Sequence, residues 1–202
     1  MKKNIKCIIF DNNGVLTTSN SETVDAICAK WLGVDEKAVR EAIISLSPNL
    51  DRGKWSDDVF STKVMRRLDV QKDAHEFSRV RLSGYVAKKD MQRFAKLLSR
   101  KYPLALLSNF GTGFHSANKR WRIERIIPKS RMLVSCDIGM CKPHANIYRY
   151  ALKKLCSKAS DVVFIDDNLD NVKAARKIGM YAILFTSLAQ LKRELSRLGV
   201  RI

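Results

Sequence analysis

Five short, mostly apolar runs constrain this chain more than any other feature: residues 5–10, 104–107, 132–135, 162–165 and 181–185. Each is too short for a helix and several are rich in β-branched residues, so they read as buried strands. Amphipathic helical patterns separate most of them. Residues 88–101 put Met91, Phe94, Ala95 and Leu98 on one face, and 146–156 do the same with Ile147, Tyr150, Ala151 and Leu155. Residues 171–178 contribute Val172, Ala175 and Ile178, with Gly179 where a helix C′ residue belongs. Alternation of apolar strands with helices predicts an α/β fold: a Rossmann-like, doubly wound parallel sheet with right-handed crossovers.

The first and second strands are about seventy residues apart, too far for one plain crossover. No strand candidate interrupts that stretch. Residues 21–32, 35–46, 56–68 and roughly 72–81 read as amphipathic helices, with Ser or Asp available to cap the first three. The expectation is a core made of residues 1–16 and 87–202, carrying an all-helical insertion at 17–86. Charge follows the same division. The 202 residues hold 38 Lys and Arg against 20 Asp and Glu, a net +18. Between positions 17 and 86 there are 11 basic and 11 acidic residues, so the whole excess belongs to the core.

So basic a core raises nucleic acid or an anionic membrane surface as partners. No helix-turn-helix, RNA-recognition or zinc-finger pattern supports the first, which leaves nucleic acid a minor expectation. No apolar stretch approaches the 18 residues of a membrane span. The start, Met1-Lys2-Lys3, is basic, but the apolar run after it is too short for a secretion signal. Five scattered cysteines, an odd number, point to reduced thiols and a cytoplasmic setting. Cys136 and Cys141 lie close in sequence, yet no partner pair at zinc-finger spacing accompanies them. His75 and His115 read as surface or packing residues, and Trp31, Trp55 and Trp121 as packing anchors. Oligomeric state is left open.

In open parallel sheets, ligands bind at the carboxyl ends of the strands, where the strand order reverses. Here those ends carry Asp11-Asn12-Asn13-Gly14, then Ser108-Asn109, then Lys142-Pro143 downstream of the third strand, then Asp166-Asp167. Three carboxylates in one crevice repel one another unless a cation joins them, and an oxygen-rich donor set suits Mg²⁺. A lysine and a small hydroxyl complete a site for phosphate oxygens.

The set as a whole resembles the haloacid dehalogenase-like hydrolase superfamily. The run Ile9-Phe10-Asp11-Asn12-Asn13-Gly14-Val15-Leu16 is similar to its first motif, and Leu106-Leu107-Ser108-Asn109 to its second. Gly139-Met140-Cys141-Lys142-Pro143 matches the third. Phe164-Ile165-Asp166-Asp167-Asn168, followed by Asn171, Ala174, Ala175 and Gly179, matches the fourth. The helical insertion falls where the superfamily carries its C1-type cap. The resemblance is greatest to the phosphatase-type branch that includes epoxide hydrolase N-terminal domains and glucose-1-phosphatase-like enzymes.

That resemblance implies a Mg²⁺-dependent phosphatase acting on a small phosphorylated metabolite. Asp11 would be the nucleophile and form an aspartyl phosphate. Ser108, with the Asn109 backbone N–H, would hold a phosphoryl oxygen. Lys142 would neutralise the nucleophile and the phosphoryl group, and Asp11, Asp166, Asp167 and the carbonyl of Asn13 would hold the metal. One departure stands out: the family's acid–base Asp is Asn13, and an amide cannot exchange protons as a carboxyl does. His144 is a smaller departure, where the family often has Asp after Lys-Pro. A 2-haloacid dehalogenase is the alternative enzyme, although its substrate needs neither metal nor the Asp166-Asp167 pair. A catalytically weak, basic protein contacting nucleic acid is the alternative of another class.

Overall fold

The structure, a computed structural model, describes residues 4–18 and 21–202. The start Met1-Lys2-Lys3 and the cap expected for the first inserted helix lie outside the described residues. Strands β1 (Cys7–Phe10), β2 (Leu104–Ser108), β3 (Met132–Val134), β4 (Val162–Asp166) and β5 (Tyr181–Leu184) form one parallel sheet in the order β3-β2-β1-β4-β5. At its centre, Ile8 pairs with Leu104 on one side and Val163 on the other.

Both faces of this sheet are covered, which is why its strands read as continuous apolar runs instead of alternating ones. Ile8, Phe10, Leu104, Leu106, Val163 and Ile165 pack against α5 (Lys89–Leu98), α6 (Phe114–Trp121) and α10 (Leu188–Arg197). Cys7, Ile9, Ala105, Leu107 and Phe164 face α8 (Ala145–Lys154) and α9 (Leu169–Lys177) on the other side. Gly179 follows α9 with φ +93°, the left-handed conformation its place after the helix requires. Helices α6 and α10 fall outside the sequence patterns above; α6 is only eight residues long and follows Gly111-Thr112-Gly113, which reads as loop. The chain lays β2 and β3 to one side of β1 and then returns to lay β4 on its other side. The carboxyl ends of β1 and β4 therefore flank the crevice of an open sheet.

Between β1 and α5 the described residues form α1 (Ser21–Leu32), α2 (Glu36–Asp51), α3 (Asp57–Arg67) and α4 (Ala74–Ser83), with no strand. Asp35, Ser56 and Asp73 cap α2, α3 and α4 by accepting from the backbone N–H three residues on. These helices bury their own apolar cluster, including Val24, Cys28, Leu32, Val39, Phe60, Val64 and Phe77. One expected boundary needs correction: α2 continues past 46, through Pro48, to Asp51. Proline removes the bond to the carbonyl four residues back, here that of Ile44. Ile44 is exposed, so its carbonyl can turn to solvent, while Leu50 beyond it is buried and holds the last turn in place.

The inserted helices join the sheet through a narrow neck. The Thr18 N–H donates to the Val86 carbonyl, and the Lys88 N–H donates to that of Leu16. A tighter contact lies farther out. Asp57, at the start of α3, accepts from Arg81 Nη2, Thr112 Oγ1 (2.8 Å) and the Gly113 N–H (2.5 Å). Side chains at Gly53 and Gly111 would collide with the Cys136 carbonyl and with Leu50, respectively. The turn at the end of α2 is thereby seated on the segments that follow β2 and β3.

Candidate active site

Asp11 ends β1, where its N–H donates to the Ile165 carbonyl of β4 (2.8 Å). Its side chain is buried, and Oδ1 accepts from Lys142 Nζ (2.8 Å) and the Asn12 N–H (2.6 Å). Among the described residues no donor reaches Oδ2. Lys142, equally buried, also donates to Asp166 Oδ2 (2.7 Å) at the end of β4. Asp166 is held rigidly: Asn171 Nδ2 reaches both of its oxygens at 3.1 Å, and the Asn168 N–H donates to Oδ1 (2.8 Å). Asn168 in turn caps α9, and the Tyr148 hydroxyl donates to the Asn171 carbonyl (3.0 Å).

Asp167 stands at the exposed edge of this group. One oxygen each from Asp11, Asp166 and Asp167 lies within 4.8 Å of the others. Gly14 lets the first loop pass beneath: it has φ +78°, and any side chain there would strike the Asp167 carboxylate. Lys88 fastens the same loop by donating from Nζ to the Gly14 carbonyl (2.5 Å).

Three carboxylates thus crowd around one buried ammonium. Burial, reinforced by Asp166 and resisted by Lys142, pushes the Asp11 carboxyl up to about 8. Burial also opposes charge on Lys142, but Asp11 and Asp166 outweigh it and hold the lysine above its ordinary value. Lys88 adds a second positive charge near Asp167, and the three carboxylates still outnumber the two cations. An all-oxygen donor set of this kind fits a divalent cation of the Mg²⁺ type, which takes one or two carboxylates and keeps room for other oxygens.

Ser108 ends β2, fully buried, and its Oγ has no hydrogen-bond partner among the described residues. A buried hydroxyl without a partner is costly, on the order of 1–3 kcal/mol, and marks a place where an outside acceptor is meant to bind. Asn13 is half-buried and its Oδ1 accepts from Asn12 Nδ2 (3.2 Å) and Thr17 Oγ1 (3.3 Å). Those donors orient its amide group. His144 is exposed and precedes α8 without capping it through its side chain.

Asn109 carries a role that spacing does not reveal. Its side chain donates to the Lys142 carbonyl and accepts from the Lys142 N–H, both at 2.8 Å. It acts on the lysine loop across the crevice mouth. Asn171 and Asn168 are partly legible, because an Asn at a helix start three residues before another Asn is a capping pattern. Thr17 and Lys88 carry no such signal.

A family model described as haloacid dehalogenase-like hydrolase matches residues 5–179. The bifunctional epoxide hydrolase 2 of Sus scrofa is 36% identical over 221 residues, covering 98% of this chain and 40% of that protein. A flavin mononucleotide hydrolase of Arabidopsis thaliana is 27% identical over 121 residues, covering 59% of this chain and 49% of that protein. The chain spans less than half the length of either relative. Among solved structures, a HAD-like family hydrolase from Porphyromonas gingivalis superposes with a TM-score of 0.82 at 22% identity, covering 98% of this chain and 100% of that one. A HAD family enzyme of Bacteroides thetaiotaomicron, solved with magnesium and inorganic phosphate, superposes at 0.77 with 18% identity, covering 93% and 98%.

Proposed function

This chain belongs to the haloacid dehalogenase-like hydrolases, and on that premise we propose that it is a Mg²⁺-dependent phosphatase of small phosphorylated metabolites. The observation that carries this reading is the Ser108 hydroxyl, unpartnered among the described residues, beside three carboxylates of which Asp11 and Asp166 share one buried lysine. An anionic tetrahedral group brought in with a divalent cation answers both deficits at once. A haloacid carries no phosphoryl oxygens for Ser108 and gives Asp166 and Asp167 no task.

Asp11 Oδ2 attacks phosphorus while the ester P–O bond breaks, giving an aspartyl phosphate and a departing oxyanion that takes its proton from water. Lys142 holds Asp11 Oδ1 and carries positive charge to the phosphoryl oxygens, and Ser108 Oγ donates to one of them. Asn109 positions Lys142 by gripping its backbone. Water then cleaves the acyl phosphate, releasing inorganic phosphate and restoring the Asp11 carboxylate. Asp11, Asp166, Asp167 and the Asn13 carbonyl are the residues that would hold Mg²⁺, which supplies charge neutralisation for the phosphoryl group.

Asn13 orients but does not transfer a proton, so the departing oxygen leaves without carboxyl assistance. Such help contributes about 10²–10⁴ in rate. Substrates with good leaving groups, acyl or anomeric sugar phosphates, suffer least from its absence. Residues 17–86 act as a cap over the core formed by 1–16 and 87–202. The basic core draws anionic esters toward the crevice, and reduced cysteines fit a cytoplasmic setting.

The test is hydrolysis of a panel of sugar, acyl and aryl phosphates with Mg²⁺ and with chelator. Turnover that requires Mg²⁺ and prefers acyl or anomeric phosphates is expected. Halide release from 2-haloacids in chelator, with no phosphate released from any ester, would replace this reading with a dehalogenase.

A further inference from the structure

Between α6 and the short helix α7 (Ser135–Ile138), a second group of donor atoms converges. His115, in the first turn of α6, places Nε2 3.0 Å from Asp137 Oδ1 on α7. Cys136 Sγ lies 3.6 Å from the same Asp137 oxygen. Donor atoms of all three residues fall within 4.8 Å of one another. We propose that His115, Cys136 and Asp137 form a second metal site, for a zinc-class transition ion and separate from the phosphatase crevice.

The donor chemistry selects the ion. One imidazole nitrogen, one cysteine sulfur and one carboxylate oxygen make a mixed set that suits borderline Zn²⁺ and not Mg²⁺, which takes oxygen alone; burial and Asp137 push the Cys136 thiol up, so the ion displaces its proton on binding. Zn²⁺ bonds of about 2.0–2.3 Å set tetrahedrally put neighbouring ligand atoms about 3.3–3.8 Å apart, so small side-chain rotations bring this trio into range. Three protein ligands leave a fourth position open. An ordinary surface His–Asp pair would involve only two of these groups and would leave the thiol uninvolved.

A cavity of about 260 Å³ adjoins the trio, with His115 and Asp137 in its wall. Two further wall residues carry polar atoms without partners among the described residues: Asn118 Oδ1, on a residue 6% exposed, and Glu124 Oε2. Buried oxygens without donors cost stability unless something outside the chain serves them. Lys119 and Lys129 also line the cavity, and their charge holds the affinity below that of a closed structural zinc site. The ligands come from elements twenty-one residues apart, so no short cysteine spacing announces them.

Position gives the site a consequence. A metal here ties α6 to α7, and α7 leads through Gly139 to Lys142. The Cys136 carbonyl is also the surface against which Gly53 of the inserted helices is packed. An ion bound to Cys136 therefore stiffens the segment that carries the lysine and bears the insertion.

The test is titration of the reduced full chain with Co²⁺ as a spectroscopic stand-in for Zn²⁺. One equivalent is expected to produce a thiolate-to-cobalt absorption band that Zn²⁺ displaces. Cys136→Ser should abolish the band, and His115→Ala should weaken binding at least about tenfold. Asp166→Asn and Cys156→Ser should leave the band intact, which separates this site from the crevice and from the exposed thiol. Circular dichroism confirms that each variant is folded. No band, a band that survives Cys136→Ser, a band lost with Asp166→Asn, or a Kd weaker than about 1 mM overturns the proposal. None of these readouts depends on phosphatase activity.

Discussion

Two clusters of charge in this molecule combine carboxylate, cation and hydroxyl and reach opposite balances. At the seam between the inserted helices and the sheet, Asp57 is paired with a whole guanidinium, a hydroxyl and a backbone N–H. Arg81 stacks over the Phe60 ring, and its buried Nε has no hydrogen-bond partner among the described residues. In the crevice, Asp11 and Asp166 share Lys142 with Asp167 close by, and the serine hydroxyl that ends β2 has no partner among the described residues. The charges of cluster one balance within the chain; those of cluster two balance only with a ligand. Burying an uncompensated group is costly in both places, so the imbalance that persists marks the site of function and the balanced one marks structure.

The largest effects should fall on opposite properties. Asp11→Asn is expected to lower turnover of the best phosphate ester by at least about 10³-fold, because it removes the nucleophile. Its melting temperature should hold or rise, since one of three crowded carboxylates disappears. Asp57→Ala should do the reverse. It leaves Arg81 buried without its anion, and the expected loss is about 3–5 kcal/mol of unfolding free energy. Chemical denaturation of both variants, with activity measured at a temperature where each is folded, checks the pair. An Asp11→Asn protein that is both active and strongly destabilised would erase the contrast.

What the sequence makes legible follows the same line. Strands and helix caps are local signals, so the five apolar runs and the caps Asp35 and Ser56 are readable from neighbours alone. The four site segments are legible because they follow apolar strands at the carboxyl edge of the sheet. Asp57 and Arg81 are not. They lie twenty-four residues apart, and an Asp in a first helical turn with an Arg in a last one reads as ordinary complement to the helix dipole. Asn109 reads as a phosphate contact from its place beside Ser108, yet its side chain answers to a loop thirty-three residues away. Pro48 suggests a helix end because the sequence hides that Ile44 faces water.

Asp51 sharpens the comparison as an intermediate case. It ends α2 at the seam, its carboxylate makes no hydrogen bond or ion pair among the described residues, and burial pushes it up to about 6, against the pull of Arg81, Lys142 and Arg52. A carboxyl whose folded value is raised holds its proton more tightly in the folded chain. Its contribution to stability is therefore present below about pH 4 and is lost as pH rises through about 6. Asp51→Asn should be more stable than the parent above pH 6, by up to about 3 kcal/mol, and no more stable below pH 4. Denaturation curves at several pH values decide it; an equal gain at every pH would locate the effect outside this titration.

The smallest expected change bears on the crevice itself. Asn13 is held by Asn12 and Thr17 and lines the same loop as Asp11. Asn13→Asp keeps size and position but adds a carboxyl that can protonate the departing oxygen. Turnover should rise at least about tenfold, and more for alkyl phosphates than for acyl phosphates, because proton delivery matters most when the leaving group is poor. The added charge enters a cluster already short of positive charge, so the variant should also need more Mg²⁺ for half-maximal rate. Parallel rate measurements across leaving groups and Mg²⁺ concentrations test both parts. Equal rates for the parent and Asn13→Asp on every ester would mean that a group other than residue 13 delivers the proton in this chain.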